Sequence, residues 1–324
     1  MNFLFSGQEP VDELYTLAFY NLENLFDTLS DADTLDIDFT PNGIRKWTPA
    51  RYKKKLQKLA RTINGIGLDS SGRPPVLLGI AEVEKGTVVQ ELLATAPLNL
   101  YNYDYIHYDS PDERGIDTAL IYNKDYFRLM ASKPIPLLVQ NGNAEWDTTR
   151  DILYVEGILN GETVHVFVNH WPSRRTGFEE TDYKRIEAAL TISSYMKLIE
   201  ETVPDPTYII MGDFNDGPTA VSIQTLMRSD KLYNPMETLH SPTRGSVTFR
   251  RSWDLFDQIM ISHNFLNYEK GKHSFARADI FDAAFLAEAK GRYKGNPYRT
   301  YAGGKYRGGY SDHFPVYIQL KLNS

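Results

Sequence analysis

The sequence predicts an α/β fold in which mixed β-sheets are covered by helices. Short apolar runs of strand length interleave with amphipathic helical stretches along the chain, the pattern of sheets with helices packed on them. Two apolar runs, 152–159 and 163–169, flank Asn160-Gly161, a two-residue hairpin signal that adds antiparallel pairs and excludes a purely parallel barrel. Several apolar runs also stop abruptly in acids, amides or histidines, and the ends of strands are where α/β sheets gather their ligand sites.

Taken in order, residues 1–13 read as a loose lead-in and 14–324 as one domain, with no repeat, low-complexity tract or linker. The strand at 14–20 ends in Asn21-Leu22-Glu23-Asn24. Residues 29–38 form an acidic, turn-rich loop. Its Asp31, Asp33, Asp36 and Asp38 lack the glycine and closing glutamate of a calcium loop, so it reads as solvated surface. Thr48-Pro49 starts a helix with a capping hydroxyl and a first-turn proline. Tyr52, Leu56, Leu59 and Ile63 then recur at helical spacing up to Gly65. The other face carries Arg51, Lys53, Lys54, Lys55, Lys58 and Arg61 and reads as solvated.

A buried strand at 75–81 ends in Glu82-Val83-Glu84, and a short helix follows at 87–94. Strands at 103–107 and 118–122 enclose Asp112-Glu-Arg-Gly-Ile-Asp117. The hairpin's second strand ends in Asn169-His170-Trp171-Pro172-Ser173-Arg174-Arg175. A long helix spans 182–201 and a shorter one 221–228. Between them an apolar run ends in Gly212-Asp213-Phe214-Asn215, where glycine lets the backbone turn as the strand stops. A strand at 255–261 bears Asp257, and the last strand, 315–322, directly follows Ser311-Asp312-His313-Phe314.

The totals narrow the chemistry. The 324 residues are 42% hydrophobic and 24% charged, ordinary proportions for a chain able to bury a core without staples. With 0 Cys there is no disulfide, thiol nucleophile or thiolate metal site. A metal must then use oxygen or nitrogen ligands, which favours Mg2+, Mn2+ or Ca2+ over zinc. The net charge of −7 opposes a nucleic-acid coat protein but leaves room for a nuclease with a local basic patch. No apolar run reaches bilayer-spanning length. The first residues lack the basic start and long apolar centre of a signal peptide. The expected location is therefore cytoplasmic by default, or exported if a leader has been trimmed, and no protein partner is evident.

Asp213 and Asn215 lie two apart and share a side if the extended backbone persists. A carboxylate and an amide together suit chemistry on an anion near a metal, the acid handling a proton or cation and the amide donating to a phosphoryl oxygen. Asn21 and Glu23, Glu82, Asn169 and His170, and Asp312 and His313 end other apolar runs in the same manner.

The motifs Tyr20-Asn-Leu-Glu-Asn24, Ala81-Glu82, Asn169-His170-Trp-Pro172, Gly212-Asp-Phe-Asn215, Phe256-Asp257-Gln258 and Ser311-Asp-His313 form an ordered set. In that set the chain resembles the endonuclease/exonuclease/phosphatase superfamily, which includes abasic-site endonucleases, pancreatic-type deoxyribonucleases, sphingomyelinases and inositol polyphosphate 5-phosphatases. The resemblance runs from residue 20 to the C-terminus. It implies a four-layer sandwich of two mixed β-sheets flanked by helices, with a divalent metal, usually Mg2+, in a cleft at one edge.

Carried over by position, Glu82 matches the main metal ligand, with Glu84 as a rival read as a surface residue. Asn21 matches the asparagine beside the metal. Glu23 stands where a shorter acid or amide is commoner and touches the ion directly or through water. Asp312 supports the metal or its water shell. His313 and Asp257 match a histidine–carboxylate pair, and His170 a second phosphate-facing histidine. Asp117 is either its carboxylate partner or a turn residue. Asn215 donates to the phosphate, and Asp213 orients or deprotonates water for in-line attack on phosphorus. The base is Asp213 or the Asp257–His313 pair.

Residues 290–310, before His313, are basic, rich in tyrosine and glycine, and free of acids. Arginines there, notably Arg299 and Arg307, together with Arg174, Arg175, Arg250 and Arg251, would meet phosphates, and the tyrosines would stack on bases; alternatively the tyrosines only pack the loop. The resulting ranking places a nuclease for DNA or RNA first, then a phosphodiesterase or phosphatase of small or lipid substrates (inositol phosphate or sphingomyelin type). A catalytically dead binding module ranks last, since it would not need this set of acids and histidines.

Overall fold

The structure, a computed structural model, describes residues 13–31, 34–140, 146–147, 149–174, 178–229, 231–249 and 252–324. Asp33, Arg175, Arg250, Arg251 and most of the lead-in lie outside them.

Two six-stranded mixed sheets face each other. The first runs, edge to edge, His273–Ile280, Val316–Leu322, Leu14–Leu25, Leu77–Val83, Asp117–Asn123 and Tyr103–His107. The second runs Leu232–Tyr233, Asp257–Ser262, Tyr208–Asp213, Glu162–His170, Ile152–Leu159 and Phe127–Ile135. Each sheet has one parallel pair, at its centre: Leu14–Leu25 with Leu77–Val83, and Tyr208–Asp213 with Glu162–His170. The strands on either side are antiparallel.

Period-2 alternation sorts the side chains into layers. Leu17, Phe19 and Leu77 of the first sheet meet Val166, Val168, Ile209 and Met211 of the second in one buried cluster. The alternate residues Ala18, Tyr20, Leu78 and Ile80 face outward under the helices Pro49–Gly65 and Gly86–Leu93. On the far side Phe167, Ile210 and Met260 pack under Phe178–Glu200 and Val221–Met227. The four-layer α/β sandwich expected from the sequence is the observed architecture. Of the strands longer than two residues in the two sheets, Phe127–Ile135 and His273–Ile280 escaped the sequence reading, as did the two-residue edge Leu232–Tyr233. The two longer strands are sheet edges with exposed or half-buried interiors, so neither carries a continuous apolar run.

Two expectations are corrected. The basic face of Pro49–Gly65 is not simply solvated. Lys55 is buried, and aromatic rings of the 281–310 region cover its neighbours. Arg51 lies 4.1 Å from the Tyr306 ring, Lys58 4.4 Å from Tyr310 and Arg61 4.8 Å from Phe285, within cation–π range. The tyrosines expected to stack on bases are in large part packing on this helix.

Gly212 does not serve as a turn. It sits within its strand, opposite Asn169 of the parallel neighbour, and a Cβ there would lie 2.5 Å from both the Cβ and carbonyl oxygen of Asn169. Glycine is needed for close approach of the two strands that carry His170 and Asp213. The Gly212→Ala variant should lose about 1–3 kcal/mol by overpacking, seen as a lower thermal midpoint in circular dichroism. An unchanged midpoint would mean that the strands have room to separate.

Candidate active site

The parallel pairs fix where the functional groups emerge. Parallel strands end on the same side, so Asn21 and Glu82 leave the first sheet together, and His170 and Asp213 leave the second as direct partners. Asp257 opens the antiparallel neighbour and pairs with Asp213 in register. His313 joins them from the segment before the last strand.

The rim where these strands end is conformationally unusual. Glu23, Asn24, Glu82 and Asn215 have φ of 53, 50, 62 and 50°, a left-handed conformation that costs a non-glycine residue of order 1–3 kcal/mol. Three of the four residues turn their amides onto the site. Glu23 N–H donates to Asn21 Oδ1 at 2.9 Å, Asn24 N–H to Glu82 Oε2 at 2.8 Å, and Asn215 N–H to Asp213 Oδ1 at 2.9 Å. The strained backbone thereby orients three of the candidate side chains. The kink at Glu82 coincides with a register shift between Ala81 and Val83. It sends Glu82 and Glu84 to different surroundings. Glu84, expected at the surface, is buried, accepts from Asp27 N–H at 2.6 Å and lies 3.5 Å from Lys85 Nζ. Burial pushes its carboxyl up to about 7.

Asp213 Oδ2 is the centre of the cluster. Asn21 Nδ2 donates to it at 2.9 Å, and the Nε2 atoms of His313 and His170 both stand 3.9 Å away. Behind His313, the fully buried Asp257 holds Nδ1 through Oδ2 at 2.6 Å, which orients Nε2 toward Asp213. Burial opposes charge on His313, but the Asp257 and Asp213 carboxylates outweigh it and hold the imidazole well above its ordinary range. Burial in turn raises the Asp213 carboxyl, against the pull of His313. His170 Nε2 is also 3.9 Å from Glu82 Oε1. Two imidazole edges thus flank one carboxylate oxygen, with distances too long for direct hydrogen bonds and suited to an intervening anionic oxygen or water.

For a divalent ion, Glu82 Oε1 and Asn21 Oδ1 are the fitting donors. They are hard oxygens at the cleft rim, and the backbone amides of Asn24 and Glu23 hold their side chains in place. Asp213, Asp257 and His313 also lie close enough to share an ion. Within that trio His313 Nδ1 is already committed to Asp257 at 2.6 Å, while its Nε2 stands 3.9 Å from Asp213.

Other expected site residues are placed elsewhere. Asp117 is not brought to His170. Its Oδ1 accepts from Ser110 N–H at 3.0 Å, and its Oδ2 lies 3.2 Å from His107 Nε2. The carboxylate of Glu23 accepts the N–H groups of Thr300 at 2.5 Å and Tyr301 at 3.3 Å. Asp312 pairs with the Arg299 guanidinium. Burial raises the Asp312 carboxyl, but the charges of His313, Arg299 and Lys55 prevail and hold it low. Arg307 is bound by both oxygens of Glu288 at 2.9 and 3.0 Å. Arg174 donates to the Asn215 carbonyl at 2.7 Å and to Asp216 Oδ1 at 2.6 Å, and stacks on Phe256 at 4.6 Å. It clamps the turn that carries Asn215. Asn215 Nδ2 donates to the Trp171 carbonyl at 2.9 Å, which uses one of its two amide protons.

Sequence reading missed the support beneath that turn. Asp216 is fully buried between Arg185 Nε and Ser222 Oγ, at 2.6 and 2.5 Å. Arg150 joins Asp112 Oδ2 to the Trp171 carbonyl, both at 2.9 Å. Local pattern shows only the i,i+3 neighbour Asp182 of Arg185, at 3.6 Å; the buried acids Asp216 and Asp112 are met through tertiary contact. Arg185→Ala removes one charged donor from the buried Asp216 but leaves Arg174 and Ser222 on it, and should cost about 1–3 kcal/mol, measured by urea denaturation.

No curated protein sequence matches the chain. Solved structures match at low identity. Zebrafish (D. rerio) TDP2 complexed with single strand DNA product is 14% identical, covers 96% of this chain and 100% of its own, and gives a TM-score of 0.57. A Bacteroides thetaiotaomicron mannosyl-6-phosphatase is 17% identical, with 95% and 100% covered and a TM-score of 0.57. The human Nocturnin catalytic domain with bound sulfate is 16% identical, with 96% of both chains covered and a TM-score of 0.58. These likenesses concern the fold. The model of the Endonuclease/Exonuclease/phosphatase family matches residues 16–322, nearly the whole chain, and the protein belongs to that family.

Proposed function

We propose that the chain is a Mg2+-dependent phosphodiesterase that hydrolyses its substrate by in-line attack of water on phosphorus. The observation that carries this reading is the placing of two histidines around one oxygen of Asp213, with Asp257 fixed behind one of them. Glu82 and Asn21 hold the metal, which when bound supplies Lewis-acid polarisation of a phosphoryl oxygen. Asp213 Oδ2, kept in place by Asn21 Nδ2 and by Asn215 N–H on its other oxygen, orients the attacking water and takes its proton. His313, already cationic, donates to a phosphoryl oxygen and is a poor base; His170 donates from the opposite side. This leaves Asp213 as the base.

The nucleic-acid reading gains from a cleft of about 690 Å³ beside Asp312, on whose rim Tyr293 is half-exposed with Arg292 4.9 Å from its ring. An aromatic ring with an arginine over it is a surface on which a base can stack. One observation favours small or lipid esters instead. The arginines expected to draw a polyanion, Arg299 and Arg307, are paired with Asp312 and Glu288, which weakens their pull on a long phosphate chain. A panel of oligonucleotides, plasmid, RNA, inositol phosphates and sphingomyelin distinguishes the two. Oligonucleotide cleavage should be lost by about 10²-fold or more in His313→Ala, with a shallow salt dependence because the arginines are paired. Turnover confined to inositol phosphates or sphingomyelin would establish the second reading.

The Asp257, His313 and Asp213 trio also makes a pH prediction. His313 acts as a cation, so activity falls as pH rises through its raised pKa. Asp213 acts as a carboxylate, so activity falls as pH drops through its own raised value. Asp257→Asn removes the charge that holds His313 up. The alkaline limb should therefore move to lower pH, with kcat reduced by roughly 10²-fold. A limb that stays in place would detach it from His313.

A further inference from the structure

Glu23 and Lys55 form a buried ion pair that the hydrolytic geometry does not use. Their side chains are 6% and 2% exposed, with Nζ 3.9 Å from Glu23 Oε2. Lys55 Nζ donates to Thr300 Oγ1 at 2.6 Å, to the Tyr310 carbonyl at 2.5 Å and to the Glu23 carbonyl at 3.4 Å, so each of its three donors has an acceptor. Glu23 accepts the amides of Thr300 and Tyr301. Burying two ions is expensive, and an apolar pair would often stabilise a fold as well.

What distinguishes this pair is what it holds. It grips both ends of the 300–310 loop. Outside one end stands Arg299, which binds Asp312. Outside the other stand Ser311, Asp312 and His313. Ser311 Oγ donates to the Asn21 carbonyl at 2.7 Å and accepts His313 N–H at 3.1 Å. The segment that presents His313 is thus suspended between Lys55 and Asn21.

We propose that Glu23 and Lys55 are positioning residues for the active site. Through the 300–310 loop they fix the distance from His313 to Asp213, and Glu23 acts on the loop and not on the metal. This rests on the phosphoester-hydrolase reading above. The side chains involved are far apart in sequence, and a displacement of about 1 Å at the reacting groups is enough to cost 10²-fold in rate.

The test uses the full chain with bis(p-nitrophenyl) phosphate as substrate and Mn2+ binding to the metal-free protein followed by calorimetry. Lys55→Met should lower kcat by about 10- to 100-fold while KM changes little. Glu23→Gln keeps an oxygen for the Thr300 amide and should recover most of the rate that Glu23→Ala loses. Mn2+ affinity should be the same in all three variants and the wild type. If Lys55→Met does not fold, Thr300→Val removes one acceptor of the same ammonium and should show the same fall in kcat on a smaller scale. A folded Lys55→Met with unchanged kcat would reduce the pair to packing. A marked loss of Mn2+ affinity in Glu23→Ala would make Glu23 a metal ligand after all. A wild-type chain that binds Mn2+ yet hydrolyses no phosphate ester would overturn the functional reading itself, and the positioning role with it.

Discussion

Each sheet contains one parallel strand pair at its centre, and the two pairs end on the same side of the sandwich. Most of the site follows from that constraint. Parallel neighbours deliver their last residues together, so Asn21 and Glu82 emerge side by side from one sheet and His170 and Asp213 from the other. The antiparallel flanking strands bring Asp257 and His313 to the same edge from the opposite direction. The close strand approach that Gly212 permits beside Asn169 keeps the second pair in register.

The price of this convergence is local strain, concentrated at Glu23, Asn24, Glu82 and Asn215. Strain at a functional rim persists only where the surroundings over-determine it. Here three of the turned amides bond the side chains of Asn21, Glu82 and Asp213. Beneath them the buried Asp216, held by Arg174 and Arg185, braces the Asn215 turn. Backbone distortion and side-chain orientation are therefore one feature.

Electrostatics around the cleft are more balanced than the basic run before His313 suggests. Arg299 meets Asp312, Arg307 meets Glu288, and Lys55 lies against Glu23. Each acid comes from outside residues 290–310, so the run's composition overstates its free positive charge. The tyrosines of that run are likewise partly spent on the helix Pro49–Gly65. The strongest local field is at His313, where the Asp257 and Asp213 carboxylates outweigh burial and raise the imidazole well above its ordinary range.

The layered fold was legible in the chain because buried strands and amphipathic helices write their periodicity into local sequence. Edge strands such as His273–Ile280 were not, since half-exposed strands carry weak patterns. The strand-end motifs named Asn21, Glu82, His170, Asp213, Asp257 and His313, and the structure gathers these residues at one edge. Spacing within a motif reports which side chains share a strand end. It does not report which distant group each will meet. The sequence by itself determined the layers and the residue types at their ends. Only tertiary structure decided that Glu23 and Asp312 hold a loop and its arginine, that Asp117 pairs with His107, and that Lys55 is buried. Those outcomes depend on contacts between segments tens to hundreds of residues apart, where local pattern carries no information about the partner.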